Sequence, residues 1–421
     1  MLSRTERDVI VVGGGPAGSV TAALLAMKGR DVLLLDREVF PRYRIGESLM
    51  PATYWTFQRL GILEKMHSGP FVKKESVRFF APSGRGALPF YFDEVEQGES
   101  AVTWQVDRAP FDQMLLDHAA GKGVEVRTGI NVTGLLMEGE RVVGVQTTGG
   151  DGAKRPLQAR VLVDASGQNG LVARRLGLRV MDSRLRHISY FTRFRGGARD
   201  SGRDAGATLI LRTKHGESWF WSIPLPDDLM SIGVVGHIDY LLKGRSKVAR
   251  EVFAEERALC PPLEERLQGA VQEGPVQVLR DFSYISSRIA GDGWVLTGDA
   301  FGFLDPIYSS GVFLALKSAE YAADSIHDAL AADDLSGARL GRHGEEFVAG
   351  VESLRRLVYA FYDPDFSFAR FLRRYPQARV DLVNLLVGNV YRRDCSGIIE
   401  LLDDWSPLQD YRPLSLSTSA T

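Results

Sequence analysis

The chain of 421 residues is long enough for one large or two medium domains, and its 44% hydrophobic and 25% charged residues are ordinary for a globular protein with a buried core. A formal net charge of −2 gives no broad basic field for nucleic acid or for an anionic membrane. Two cysteines, Cys260 and Cys395, stand too far apart for a disulfide framework and make no metal quartet; they are expected to be inert thiols in a reducing cytoplasm.

The opening MLSRTERD leads into a short, glycine-broken apolar run, unlike a signal peptide, and no later stretch reaches about 18 apolar residues without a charge. A cytoplasmic chain without a membrane span is the expectation. Asp8 to Val12 reads as a buried strand, Pro16 to Met27 as a helix, and Asp31 to Asp36 (DVLLLD) as a second buried strand. Strand, glycine turn, helix and strand within about 30 residues open a dinucleotide-binding βαβ unit. Phe40 to Met50 is irregular, and a helix follows from Thr53 to Leu60. Residues 75–105 alternate and turn often, as in antiparallel sheet. Phe111 to Gly121 is helical, and Val124 to Thr128 and Arg160 to Ala165 are strands. Between 186 and 240 the segments ISYFTRF, ATLILR, SWFWSI and SIGVVG read as strands of a sheet that walls a pocket. Strand Gly293 to Thr297 runs through GDAFGFLDP into a long helix from Ser310 to Ala331. The remainder is mostly helical to about Asp403, where the polar tail is expected to fray.

Gly13-Gly14-Gly15-Pro16-Ala17-Gly18 satisfies GxGxxG in its strand-to-helix setting. The first glycine makes the tight turn, the second lets backbone approach a pyrophosphate, and the third lets helix pack on strand, while the helix N-terminus turns its N–H groups to the anion. Asp36, ending the second strand, stands where a carboxylate takes ribose hydroxyls, which argues against NADP. The motif alone leaves FAD and NAD open.

Val295 to Ala300 is a strand ending in Gly298-Asp299-Ala300 before a helix. It resembles the second motif of FAD-dependent aromatic hydroxylases and their relatives. Val163-Asp164-Ala165-Ser166-Gly167 with Val172-Ala173-Arg174 resembles their middle motif. The resemblance implies FAD rather than NAD, with Asp299 on the ribityl chain and a helix N-terminus stabilising negative charge on the reduced flavin. By residue type alone Asp164 or Asp299 is equally a helix cap. Arg108 matches a position that contacts flavin in these enzymes, a surface ion pair being the alternative. The resemblance extends cofactor contact to Arg37, Arg44, Gly311 and Val312. It implies an α/β fold in which an FAD-binding, three-layer Rossmann-like domain (1–70, 101–180 and 281–335) interleaves with an antiparallel-sheet substrate domain (71–100 and 181–280), followed by a helical C-terminal cap with a frayed tail (336–421).

Trp219-Phe220-Trp221-Ser222-Ile223-Pro224 is WxWxIP. With Phe40-Pro41-Arg42, Gly46-Glu47-Ser48-Leu49 and Phe301 to Val312 (FGFLDPIYSSGV), it resembles the flavin-dependent halogenases, in a match running from Val9 to about Asp403. Such an enzyme takes reduced FAD, oxygen and chloride or bromide, makes hypohalous acid, and halogenates an electron-rich ring. The resemblance implies that Trp219 and Trp221 wall substrate off from flavin, with Ile223 and Pro224 completing the motif; by residue type alone, aromatics alternating on a strand are ordinary core. It further implies a lysine that delivers the halogen. By the spacing in the enzymes this chain resembles, Lys74 is the candidate and Lys73 its competitor, since on a strand the two point to opposite faces; a solvated KKE string is the plainer alternative. Backbone N–H groups of Ser310 and Gly311 are the candidate halide nest, an ordinary serine N-cap being the other reading.

Tryptophan halogenases that this chain resembles carry a glutamate two residues before the hydroxyl residue of the halide loop. Tyr308 stands there instead, and no large tryptophan-clamping insertion is evident. Pro89 to Phe92 and Thr103-Trp104-Gln105-Val106 look more like halogenases of phenolic and pyrrolic substrates. A phenol or pyrrole, free or tethered to a carrier protein, is therefore expected, and Phe361 to Phe371 is expected to cap the substrate side. No HExxH or paired metal-ligand spacing occurs, and Ser48 is not in a GxSxG elbow. No second GxGxxG is present, so reduced FAD from a separate flavin reductase is expected. An FAD monooxygenase is the runner-up reading, and a flavin-binding relative without catalysis the third.

Overall fold

The computed structural model describes residues 6–150 and 152–417. In chain order, β1 (Glu6–Val12), α1 (Pro16–Met27) and β2 (Val32–Leu35) make the opening βαβ unit. Strands β3 (Val72–Lys74), β4 (Ser76–Phe80), β5 (Phe90–Tyr91) and β6 (Thr103–Gln105) follow, then α2 (Arg108–Gly121) and β7 (Glu125–Arg127). Next come β8 (Asn131–Glu138), β9 (Arg141–Thr148), β10 (Lys154–Asp164), β11 (Arg179–Met181), β12 (His187–Arg195), β13 (Thr208–Arg212), β14 (Ser218–Pro224), β15 (Leu229–His237) and β16 (Val271–Arg280). Strands β17 (Tyr284–Ser286), β18 (Ala290–Gly291), β19 (Trp294–Leu296) and β20 (Gly302–Phe303) precede the helices α3 (Ser310–Ala332), α4 (Gly344–Tyr362), α5 (Phe368–Arg374), α6 (Arg379–Val387) and α7 (Ser396–Trp405).

The first sheet has the order β18-β19-β10-β1-β2-β7, with hairpin β8–β9 joined to β10 through β9. Its central pairs are parallel, and β1 and β2 read as unbroken apolar runs because parallel strands are covered on both faces. Helix α1 packs between α2 and α3. The second sheet has the order β16-β12-β15-β14-β13-β4-β5, antiparallel except for the β13–β4 pair. Both its faces are buried. Trp219, Trp221 and Ile223 of β14 enter a large aromatic cluster, and Phe220 enters the apolar core on the other side. The aromatic cluster lies against α4 to α7; Phe361 of α4, Phe366 of the segment after it, and Phe368 and Phe371 of α5 join it.

Several segments depart from the sequence expectation. Hairpin β8–β9 and the first half of β10 occupy residues for which no element is predicted; both strands of the hairpin are half exposed, which weakens the apolar alternation. Two short helices, Ala249–Ala258 and Pro261–Arg266, cover the second sheet where no element is predicted either. Helix α2 starts at Arg108 rather than Phe111, capped by Asp107, whose carboxylate accepts the Ala109 N–H. The expected frayed tail is fastened as far as Ser417: its N–H reaches the Ser287 carbonyl, the Leu414 N–H reaches Glu352, and Leu414 and Leu416 pack on the main core. The last four residues lie outside the described residues. Among the described residues no helix is long and apolar enough to cross a membrane.

Candidate active site

A cavity of about 450 Å³ opens where the segments leaving β1, β2, β10 and β19 meet the start of α3. This is the carboxyl edge of a parallel sheet, where such folds bind ligands, and the volume lies in the about 300–1,000 Å³ range of ligand pockets. The glycine turn forms its floor. Gly13 has φ +108°, and a Cβ there would lie 2.2 Å from the Ala165 carbonyl oxygen. A Cβ on Gly18 would lie 1.8 Å from the Gly13 carbonyl oxygen, so that glycine serves the helix–strand contact and does not line the cavity. Gly15 begins α1 without a side-chain cap, and Gly15, Pro16 and Ala17 line the cavity, leaving first-turn N–H groups available to an anion.

Asp36 lines the wall and also secures the turn: its carboxylate accepts the Gly14 N–H at 2.7 Å and the Glu38 N–H at 2.8 Å. Each oxygen keeps a lone pair for a ribose hydroxyl. Arg108 is not the surface ion pair offered as its alternative. It is buried, and its guanidinium donates to both oxygens of Asp112 and to the Ile45 carbonyl. Arg42 donates to the same Asp112 carboxylate at 2.7 Å. The two guanidiniums share one buried carboxylate, and Arg42 Nη2 comes within 3.5 Å of where a Gly15 Cβ would stand. Arg37 and Arg44 reach the rim beside Glu38.

Asp299 faces the same space. Burial pushes its carboxyl up to about 6, against the opposing pull of the Arg108 charge and a Gln168 hydrogen bond. Asp164 does not reach the cavity. It accepts the Ser166 and Val172 N–H groups and closes the turn after β10, the capping role that its residue type allowed. Gly311 and Val312 line the cavity, whereas the Ser310 side chain is buried behind them. Ser309 adopts φ +58° and its hydroxyl caps nothing, so the N–H groups of Ser310 and Gly311 open α3 without the expected serine cap.

Sequence reasoning left out Arg42, although the FPR segment carries it, and Thr297, one residue before Gly298-Asp299. Both line the cavity, and Arg42 Nε and Thr297 Oγ1 are buried there without a hydrogen-bond partner in the protein. An uncapped helix start, the Arg42 and Arg108 guanidiniums, the ribose-side Asp36 and these orphaned polar atoms match the pyrophosphate, ribose and ribityl groups of FAD.

Trp219, Trp221 and Ile223 belong to the aromatic cluster, and Lys74 lies beside its member Phe92. Lys73 is exposed and Lys74 buried, as the alternation on β3 requires. Lys74 Nζ donates to Ser48 Oγ and to the Leu49 carbonyl, each at 3.0 Å, and lies 5.4 Å from the Phe92 ring centroid. Among the described residues it has no carboxylate partner, and burial brings its ammonium down to about 7. The rings of Trp219 and Trp221 lie 6.3 Å apart; their N–H groups donate to Tyr362 Oη and Ser231 Oγ. Neither tryptophan lines the cavity, nor do Ile223 and Pro224. Ile45, Leu279 and Phe303 stand between, lining the cavity and packing on the aromatic cluster. Tyr308 is buried there too, its hydroxyl donating to the Leu357 carbonyl. Cys260 and Cys395 are free and buried, with thiols pushed up to about 11 by burial.

The sequence profile of the FAD binding domain family matches residues 6–330. A 1H-pyrrole-2-carbonyl-[peptidyl-carrier protein] chlorinase of Pseudomonas fluorescens is 31% identical over 414 residues, covering 93% of this chain and 91% of the relative. The corresponding brominase of Pseudoalteromonas luteoviolacea is 32% identical, covering 93% of each chain. The solved structure of the flavin-dependent brominase Bmp2 superposes with a TM-score of 0.86 at 31% identity, over 95% of this chain and 98% of that one. Likeness of this extent takes in the cavity, the WxWxIP strand and the C-terminal helices together, and on it the chain belongs to the FAD-dependent halogenases.

Proposed function

We propose that this chain halogenates a pyrrole ring presented as a carbonyl thioester on a carrier protein, with Lys74 delivering the halogen. The observation that carries the site reading is the amine of Lys74, buried beside the Phe92 ring without a carboxylate partner among the described residues and brought down to about 7. The substrate reading is supported by the two pyrrolyl-carrier relatives, which match nearly end to end.

Bound FAD, reduced by a separate flavin reductase, supplies the oxygen-derived oxidant that halide converts to hypohalous acid. The N–H groups of Ser310 and Gly311 bind the halide at the positive end of α3. The glycine turn and Asp36 hold the adenosine half of the cofactor, Arg42 and Arg108 balance its phosphates, and Asp299 takes the ribityl chain. Ile45, Leu279, Phe303, Trp219 and Trp221 exclude the ring from the cofactor while a small oxidant passes. Lys74 has two N–H groups committed to Ser48 and Leu49. In its neutral form the remaining direction carries a lone pair that accepts or hydrogen-bonds the electrophile. Tyr308, where a glutamate would stand in tryptophan halogenases, offers no carboxylate to support a poorly activated ring, which fits an electron-rich pyrrole.

The test supplies the protein with FAD, a flavin reductase, NADH and bromide, and reads products by mass spectrometry. Substrates are pyrrole-2-carboxylate, its carrier-bound thioester, and a panel of phenols. A brominated pyrrolyl thioester is expected, lost by about 100-fold or more in Lys74→Ala while flavin reoxidation continues. Bromination of the free acid or of phenols alone would remove the carrier-bound assignment. Hydroxylated product indifferent to halide and to the substitution would turn the reading to a monooxygenase.

A further inference from the structure

A buried polar chain links the WxWxIP strand to the loop that begins α3, and neither motif contains its central residue. The Trp219 indole N–H is enclosed by apolar rings and donates to Tyr362 Oη at 3.0 Å. Tyr362 is the last residue of α4, and its own hydroxyl donates to Asp305 at 3.0 Å. Asp305 is wholly buried in the loop between β20 and α3, where it also accepts the Ile307 N–H at 3.0 Å. His187, at the start of β12, brings Nδ1 to 3.5 Å from the same carboxylate and stacks its ring on Tyr362 at 4.0 Å.

The chemistry makes this chain stiff. A buried carboxylate is costly unless donors surround it, and a buried indole N–H needs an acceptor. Moving Tyr362 would leave the indole N–H and one oxygen of the Asp305 carboxylate without a hydrogen bond at once, on either side of one hydroxyl. Trp219 on the second sheet, Asp305 five residues before Ser310, and the end of α4 are thereby held as one unit.

We propose that Tyr362 is a positioning residue that locks the Trp219 wall to the loop carrying the halide nest, so that hypohalous acid passes to the ring rather than to solvent. The proposal rests on the reading of Trp219 as part of that wall.

Tyr362→Phe keeps the ring stacked on His187 and removes only the hydroxyl. With a β-diketone trap for free hypohalous acid, its ratio of halogenated product to trapped oxidant should fall about tenfold, with flavin reoxidation unchanged. Trp219→Phe should lower the ratio likewise, and the double variant no further. Urea denaturation of the four cofactor-free proteins supplies a second readout, in which the two substitutions should be non-additive. An unchanged ratio in a folded Tyr362→Phe protein, or additive losses of stability, would overturn the proposal. A wild-type protein that halogenates nothing would overturn the site reading beneath it, and the stability cycle would still decide the contact.

Discussion

Lys74 shows how far a single residue can be read. The alternation of a strand says that only one of Lys73 and Lys74 turns inward, and the resemblance to the halogenases chooses Lys74. What sequence does not carry is the environment that moves its titration: the absence of a carboxylate partner among the described residues, two committed acceptors, full burial and the Phe92 ring beside the amine. An ammonium held at about 7 in the fold and near 10.5 when unfolded gives the unfolded chain the larger share of protons between those values. Stability therefore rises with pH across that window and levels off above it. Urea denaturation at pH 7, 8, 9 and 10 should show wild type gaining on Lys74→Met at each step; parallel curves would mean that the lysine is solvated. In the enzyme, the rate of the halogenation step should fall on the acid side of about pH 7 while flavin reoxidation does not follow it. Arg42 illustrates the opposite limit. Its partner Asp112 stands 70 residues away, and no local pattern couples them.

Among elements, the βαβ unit was legible because glycine is demanded by contact: any side chain at Gly13 or Gly18 would collide with backbone. Gly18→Ala should separate α1 from β1, cost about 1–3 kcal/mol as overpacked cores do, and yield protein purified with little flavin, read by the absorbance of bound FAD and by Tm. Retention of full flavin content would show that the turn accommodates the methyl group. The WxWxIP strand was legible as a strand, and its tryptophans do share one face. Their hydrogen-bond partners were not: Tyr362 stands 143 residues away at the end of α4, and the reach of Trp221 to Ser231 follows from the register of the β14–β15 pair. Hairpin β8–β9 went unread for a physical reason: half-exposed strands have a weak apolar signal, and their register follows from pairing with β10.

At the scale of the whole molecule, the tail crosses from α7 back to the main core. Leu416 stands within 2.5 Å of where a Gly344 Cβ would lie, and Leu414 hangs from Glu352 of α4. Removing residues 412–421 should strip both leucines from the core they cover and lower Tm, by about 2–4 °C for each kcal/mol lost, with the flavin spectrum unchanged. An unaltered Tm would return the tail to the frayed segment expected from its composition. The topology of the two sheets was recoverable in outline from the alternation of motifs. The fastening of the tail was not, because two leucines among serines and threonines carry no periodic signal.

The narrow common wall of Ile45, Leu279 and Phe303 bears on how such a chain diversifies. Residues that line the cavity and residues of the aromatic cluster form two populations meeting at these three positions. Mutations that retune which ring is accepted can accumulate in the aromatic population while cofactor retention stays under separate selection. A library confined to Phe79, Phe361 and Phe368 should therefore yield altered product profiles at undiminished flavin occupancy, whereas variation at Leu279 or Phe303 should change both together.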